Sequence, residues 1–267
     1  MSNLATRLLA PLALVGALLT AEAAGAQTLL ALVGDGTIAW VSPKNWKATG
    51  TVNVKGAKFV GFDVRPADGL LYGVTIDNWI VTIDPKTGAV TKKAELSTKL
   101  PAGVAISIDF NPVADRMRII GGDGTSLRVN VDDGKATVDG TLKFAENDVN
   151  KGKTPRVIAG AYSFSFKGTK ETALYDIDAT TGSFLRQAPP NDGILNTIGS
   201  LGVKLDGPVA FNIVSEGEGK NAAWLVVGGK LHSVDMTTGA AKLVGTISGI
   251  KGKINDIAWW PADAKTM

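Results

Sequence analysis

The residues of this 267-residue chain best suited to chemistry are carboxylates in turn-forming sequences. Asp35, Asp77 and Asp123 are each followed by Gly or Asn, and Asp148 sits in the segment Glu146-Asn-Asp-Val-Asn-Lys-Gly-Lys-Thr-Pro155. Two carboxylates roughly 5 to 9.5 Å apart can serve as acid and base in glycoside hydrolysis, and several hard oxygens together can hold Ca2+. Asn150 belongs to the same segment. Trp46, in Pro43-Lys-Asn-Trp-Lys47, is expected to be the most exposed tryptophan and so a platform for a sugar ring. Asp35, Asp77, Asp123, Asp148, Asn150 and Trp46 are therefore the candidate ligand-binding residues. A local explanation competes with this one: Asp opens tight turns by accepting backbone amides, and the Gly that follows supplies positive φ.

A second set comes from alternating apolar segments. Asp63, Asp109, Ser163 and Asn212 fall at equivalent places on the small or polar face of such segments. If those segments converge on an axis, Asp63, Asp109 and Asn212 become candidate ligands for Ca2+. The competing and favoured reading is that they satisfy backbone amides of the neighbouring strand, as buried polar groups must.

Several chemistries are excluded by composition. The chain has no cysteine and a single histidine, which removes disulfides, thiolate sites, a cysteine nucleophile and a histidine metal cluster. That histidine, His232, lies in the alternating stretch Lys230-Leu-His-Ser-Val234 and reads as an ordinary strand residue. There is no Gly-x-Ser-x-Gly, phosphate-binding loop or dinucleotide fingerprint. The Ser-x-x-Lys spacing at Ser248 and Lys251 lies in a loop rather than at a helix start. The net charge of +3 is spread along the chain, unlike a nucleic-acid footprint. No recognisable catalytic motif is present, which leaves the balance against an enzyme while the carboxylates keep a hydrolase as the alternative.

The elements that must position these groups start after an export signal. Arg7 leads into the apolar run Leu8 to Leu19, which ends in Ala23-Ala24-Gly25-Ala26, and cleavage is expected after Ala26. The run is shorter than the about 20 residues needed to span a bilayer. The expectation is thus a signal peptide at 1–26, one domain over 27–267, no transmembrane segment, and a periplasmic or secreted monomer.

Self-similarity organises the rest. Phe59-Val-Gly-Phe-Asp-Val-Arg-Pro-Ala-Asp68 matches Ala105-Ile-Ser-Ile-Asp-Phe-Asn-Pro-Val-Ala-Asp115, with looser copies at Ala159–Ser165, Pro208–Ser215 and Ile254–Asp263. Each alternates with a period of two, as a strand does. Each is followed by further short strands closed by Asp/Gly turns, such as Ile83-Asp-Pro-Lys-Thr-Gly88 and Val234-Asp-Met-Thr-Thr-Gly239. No long helical period interrupts them. The repeat length matches propeller blades. The last anchor, Ile254 to Pro261, lacks following strands, and the segments Thr28–Leu32 and Thr37–Val41 lack an anchor, so the two are predicted to share one sheet and close the ring. The fold class is therefore all-β: a β-propeller of five antiparallel meanders at 59–96, 105–144, 157–201 and 208–250 plus the shared blade. In it, Asp35, Asp77, Asp123 and the 146–155 linker gather on one face.

Phe-Asp-Val-Arg-Pro-Ala-Asp-Gly-Leu-Leu-Tyr, Asp-Phe-Asn-Pro-Val-Ala-Asp-Arg, Ser-Leu-Arg-Val-Asn-Val-Asp, and Leu-Tyr-Asp-Ile-Asp followed by Arg186-Gln-Ala-Pro-Pro-Asn-Asp-Gly193 occur here in linked order. In this combination the chain resembles a bacterial exported family, domain of unknown function 4394. The resemblance spans nearly all of 27–267. It implies an exported, propeller-like protein and carries no catalytic or binding residue across. The functional expectation is a non-enzymatic binding or scaffold protein of the cell envelope that engages an envelope protein or a glycan. The alternatives are a carboxylate-dependent glycan hydrolase and a cation-stabilised structural protein. No cofactor is required in the first reading, and Ca2+ enters in the last.

Overall fold

Alternation of large apolar with small or polar residues produces strands throughout the computed structural model, which describes residues 27–215 and 220–261. Residues 1–26, expected from sequence to be an export signal, lie outside the described residues. Among them there is no α-helix. Five sheets form five blades. The second blade runs β4 (Phe59–Val64), β5 (Leu71–Thr75), β6 (Trp79–Ile83) and β7 (Val90–Glu95) from the axis outward. The third runs β8 (Ile106–Asn111), β9 (Arg116–Gly121), β10 (Ser126–Val129) and β11 (Ala136–Val138). The fifth runs β17 (Val209–Ser215), β18 (Asn221–Val227), β19 (Lys230–Val234) and β20 (Ala241–Thr246).

The first blade is made from both ends of the described chain. β1 (Gln27–Val33), β2 (Thr37–Ser42) and β3 (Lys47–Asn53) are completed on the axial side by β21 (Ile254–Pro261). β21 pairs antiparallel with β1, placing Leu29 opposite Trp259 and Ala31 opposite Ile257. No blade edge is left open at the seam, as the sequence predicts.

The fourth blade departs from that prediction. Its own strands are β13 (Val157–Tyr162), β14 (Leu174–Asp178), β15 (Ser183–Gln187) and β16 (Ile194–Ser200), but a fifth, β12 (Lys143–Phe144), adds to its outer edge in parallel with β16. Residues 143–144, assigned from sequence to the third blade, thus belong to the fourth. The linker from β11 crosses outward first, held by the Gly140 amide on the Asn191 carbonyl and the Lys143 amide on the Gly193 carbonyl. It therefore covers an edge that would otherwise be exposed.

The core lies between blades. Each interface packs the large faces of neighbouring strands: Ala210, Val214, Ile257 and Trp259 join the fifth blade to the first, and Tyr72, Ile108, Phe110 and Met117 join the second to the third. Near the axis the strands are crowded enough to require glycine. A Cβ on Gly61 would stand 2.8 Å from an Asp256 oxygen, and one on Gly160 would stand 2.6 Å from Asp176 Oδ1. This is the physical source of the small, polar face read in the sequence.

Because Ile257 is fully buried at the seam, Ile257→Ala should cost about 2–5 kcal/mol. Urea denaturation measures it, and an unchanged midpoint would contradict a packed closure.

Candidate functional site

At the axis, buried aspartates bind the amides of the next blade. Asp256 Oδ2 accepts the Phe62 N–H at 3.0 Å, Asp63 Oδ2 the Phe110 N–H at 3.1 Å, and Asp109 Oδ1 the Tyr162 N–H at 3.0 Å. Each bond runs from the inner strand of one blade to that of its neighbour. Asn212 lies among them and donates through Nδ2 to Asp63 Oδ1 at 3.2 Å and to Asp109 Oδ2 at 3.5 Å. Of the sequence-derived axial set, Asp63, Asp109 and Asn212 therefore converge, and the bonds observed for the two aspartates are those of the amide-satisfying reading. Ser163 does not join them. β13 ends at Tyr162, and the Ser163 hydroxyl bonds the Ala173 backbone within its own loop. Asp256 takes the place instead. Its position on the small face of the last anchor was the available signal, obscured by Trp259 and Trp260 beside it.

Electrostatics follow from this burial. Withdrawal from water pushes the Asp63 carboxyl up to about 7. Burial and then the charge of Asp63 raise Asp109 well above the usual carboxylate range, and burial likewise raises Asp256. No lysine or arginine pairs with these three among the described residues.

The axial column is the floor of a cavity of about 420 Å³. Asp63 and Asn212 line it, with Trp259, Phe166, Gln27 and the rim carboxylate Asp68. It opens on the face where the inner strands end, opposite the face carrying the second-to-third-strand turns. A smaller cavity of about 310 Å³ opens on that other face, lined mainly by glycine and aliphatic residues, with Lys253 its one charged side chain.

The loop-based candidates are placed as follows. Asp35 pairs with Lys58 at 3.0 Å, both exposed. Asp77 accepts the Thr75 hydroxyl, which holds its carboxyl below the usual range, and Asp123 accepts the Thr125 amide. Asp148 accepts the Thr197 amide and hydroxyl, while Asn150 donates to that hydroxyl and accepts from Lys153. These bonds are local or hold the linker to β16. Trp46 is half-buried rather than the open platform expected, because the absence of a side chain at Gly245 lets the ring settle there. It starts an aromatic ladder, 5.4 Å from Trp224, which is 5.8 Å from Trp259 at the cavity wall. None of the six sequence-derived candidates, Asp35, Asp77, Asp123, Asp148, Asn150 and Trp46, lines the larger cavity.

Two charged clusters escaped the sequence reading. Arg65 grips both oxygens of Asp115 on the third blade, bonds Asp68 and the Tyr72 hydroxyl at 3.2 Å, and lies over the Tyr72 ring. The guanidinium is held above its ordinary range by Asp115, and Asp115 is lowered in turn. Arg118, 2 % exposed, bonds Asp139, Ser126, Asn191 and the Tyr162 hydroxyl between the third and fourth blades. Near it Asp176 is fully buried, with neither carboxyl oxygen hydrogen-bonded, and burial pushes it up to about 8 despite the opposing charge of Arg118.

A ring of five four-stranded or five-stranded blades, laced at the axis by carboxylate-to-amide bonds and hollow at one end, defines a five-bladed β-propeller with an axial cavity. Residues 37–258 match the family described as Domain of unknown function (DUF4394), and the chain belongs to it. No curated protein matches. Among solved structures, the chain is similar to a protein of unknown function from Bacteroides thetaiotaomicron, at 17% identity and a TM-score of 0.51, over 88% of this chain and 66% of that one. It is also similar to one from Bacteroides caccae, at 15% identity and 0.42, over 84% and 73%.

Arg65→Lys keeps charge but loses the two-pronged grip on Asp115, and is expected to cost about 1–3 kcal/mol in urea denaturation. Asp176 supplies a pH signature. Below about pH 4 its carboxyl is protonated folded and unfolded alike. From there to about pH 8 only the folded chain keeps the proton, so stability falls as pH rises through that window and levels off above it. Asp176→Asn should therefore shrink the drop in urea midpoint between about pH 5 and about pH 8.

Proposed function

We propose that this chain is an exported, non-enzymatic binding protein of the cell envelope that takes its ligand in the axial cavity. The export element of this reading rests on the 1–26 segment, and the ligand is the end of a glycan or a segment of an envelope protein. The observation that carries it is the cavity of about 420 Å³ itself, where buried polar groups at the floor meet aromatic walls. Such concave sites with a few convergent polar groups are where small ligands bind. The aspartates of the hydrolytic alternative are each engaged in a turn, an ion pair or the hold on β16.

Ala67 lines the cavity on the rim loop between β4 and β5, so Ala67→Trp closes the mouth at little expense to the fold. In a thermal-shift screen against oligosaccharides and peptides, a ligand at 100 times its Kd stabilises by about 2.7 kcal/mol. That stabilisation should vanish in A67W while the unliganded melting temperature holds. Ligands that still stabilise A67W but fail on D123A would move the site to the opposite face.

A further inference from the structure

With the axial cavity as the binding site, we infer that its ligand presents a protonated amine to the Asp63 carboxylate, its carbon skeleton lying against Trp259 and Phe166. Three carboxylates on three different inner strands, Asp63 on β4, Asp109 on β8 and Asp256 on β21, lie near one another at the axis without a cationic partner among the described residues, and Asp63 faces the cavity. The remaining inner strands bring no opposite charge: β17 contributes the neutral Asn212, and β13 carries no acidic or basic residue. Negative charge in a low-dielectric pocket is stabilised by an opposite charge delivered to it. Asp63 is the member of the three that lines the cavity, and so the one a ligand touches.

An ammonium fits this floor better than a metal ion does. Ca2+ draws on six to eight oxygens, yet both Asp256 oxygens already accept amides and Asp109 Oδ1 accepts another. No group of three or more acidic, histidine or cysteine side chains among the described residues is arranged to hold a metal. A carboxylate has about four acceptor positions. Asp63 spends one oxygen on Phe110 and the other on Asn212, which leaves lone pairs for N–H donors. The walls suit the remainder of such a molecule: Trp259, Phe166, Pro66 and Val64 are apolar, and aromatic rings attract cations to their faces. At the rim, Asp68 adds a further carboxylate and Lys167 a positive charge.

The buried Asp63 carboxyl, raised to about 7, must lose its proton to pair with an ammonium. Amine binding therefore releases a proton and tightens as pH rises, roughly tenfold per unit on the acid side of that value.

The test is calorimetric titration of the full chain with phenethylamine, its neutral isostere 2-phenylethanol, and CaCl2. Phenethylamine should bind, more tightly at pH 7.5 than at pH 5.5, with proton release seen as a buffer-dependent enthalpy. The alcohol should bind at least tenfold more weakly, and D63N should weaken the amine by a similar factor. Equal binding of amine and alcohol, both blocked by A67W, would overturn the charge requirement and leave the cavity reading standing. Amine binding that survives A67W would overturn both. Binding of Ca2+ that D63N abolishes, with no amine binding, would replace the amine by a metal, and absence of binding by all three probes would also overturn the inference. Should D63N fail to fold, a pH-independent amine affinity in the unsubstituted chain overturns it equally.

Discussion

Inner strands of a propeller have one edge paired with their own blade and one facing the axis, where no strand is available to take the free amides. Buried backbone donors must nevertheless be bonded. Asp256, Asp63 and Asp109 meet this need by reaching from one blade to the next inner strand. The same bonds lace four successive blades together and concentrate carboxyl groups where water is scarce. The raised proton affinity of the axis and its hunger for positive charge are consequences of how the ring is stitched. So is the demand for glycine at position 61, where an Asp256 oxygen occupies the room a side chain would take.

Much of this was legible in the chain. Period-two anchors, their spacing, and the incomplete first and last units predict five blades and a shared sheet, because strand alternation is a local property and ring closure leaves a countable remainder. The facing of the loops follows from meander topology alone. Other features depend on distant contacts and were not legible. Ser163 looked equivalent to Asp109 until the fourth anchor left the strand after Tyr162, where Phe164 adopts φ of 55°. β12 is two residues long and gains its identity only from β16. The carboxylates picked out in loops each have a structural partner, Lys58 for Asp35, Thr75 for Asp77, Thr125 for Asp123 and Thr197 for Asp148, and the axial cavity opens at the other end of the axis. Which end is hollow is decided by side chains from several blades at once.

The motifs by which the family is recognised also gain a physical meaning. Arg65, Asp68 and Asp115 come from the two most similar anchors and Tyr72 from the strand that follows the first, and together they form one rivet between the second and third blades. Asn111 in the second of those anchors folds its own loop by accepting the Val113 and Ala114 amides. These signatures preserve architecture. Asp63 and Asp68 do double duty: Asp63 accepts the Phe110 amide of the next blade and lines the cavity floor, and Asp68 is fixed by Arg65 and forms the cavity rim.

The seam between β1 and β21 runs through the wall of that cavity, for Gln27 stands on one side of the join and Trp259 and Pro261 on the other. A guest resting there touches both halves of the fastening. Such a guest would act as a clasp, because a ligand that binds only the closed ring stabilises it by mass action.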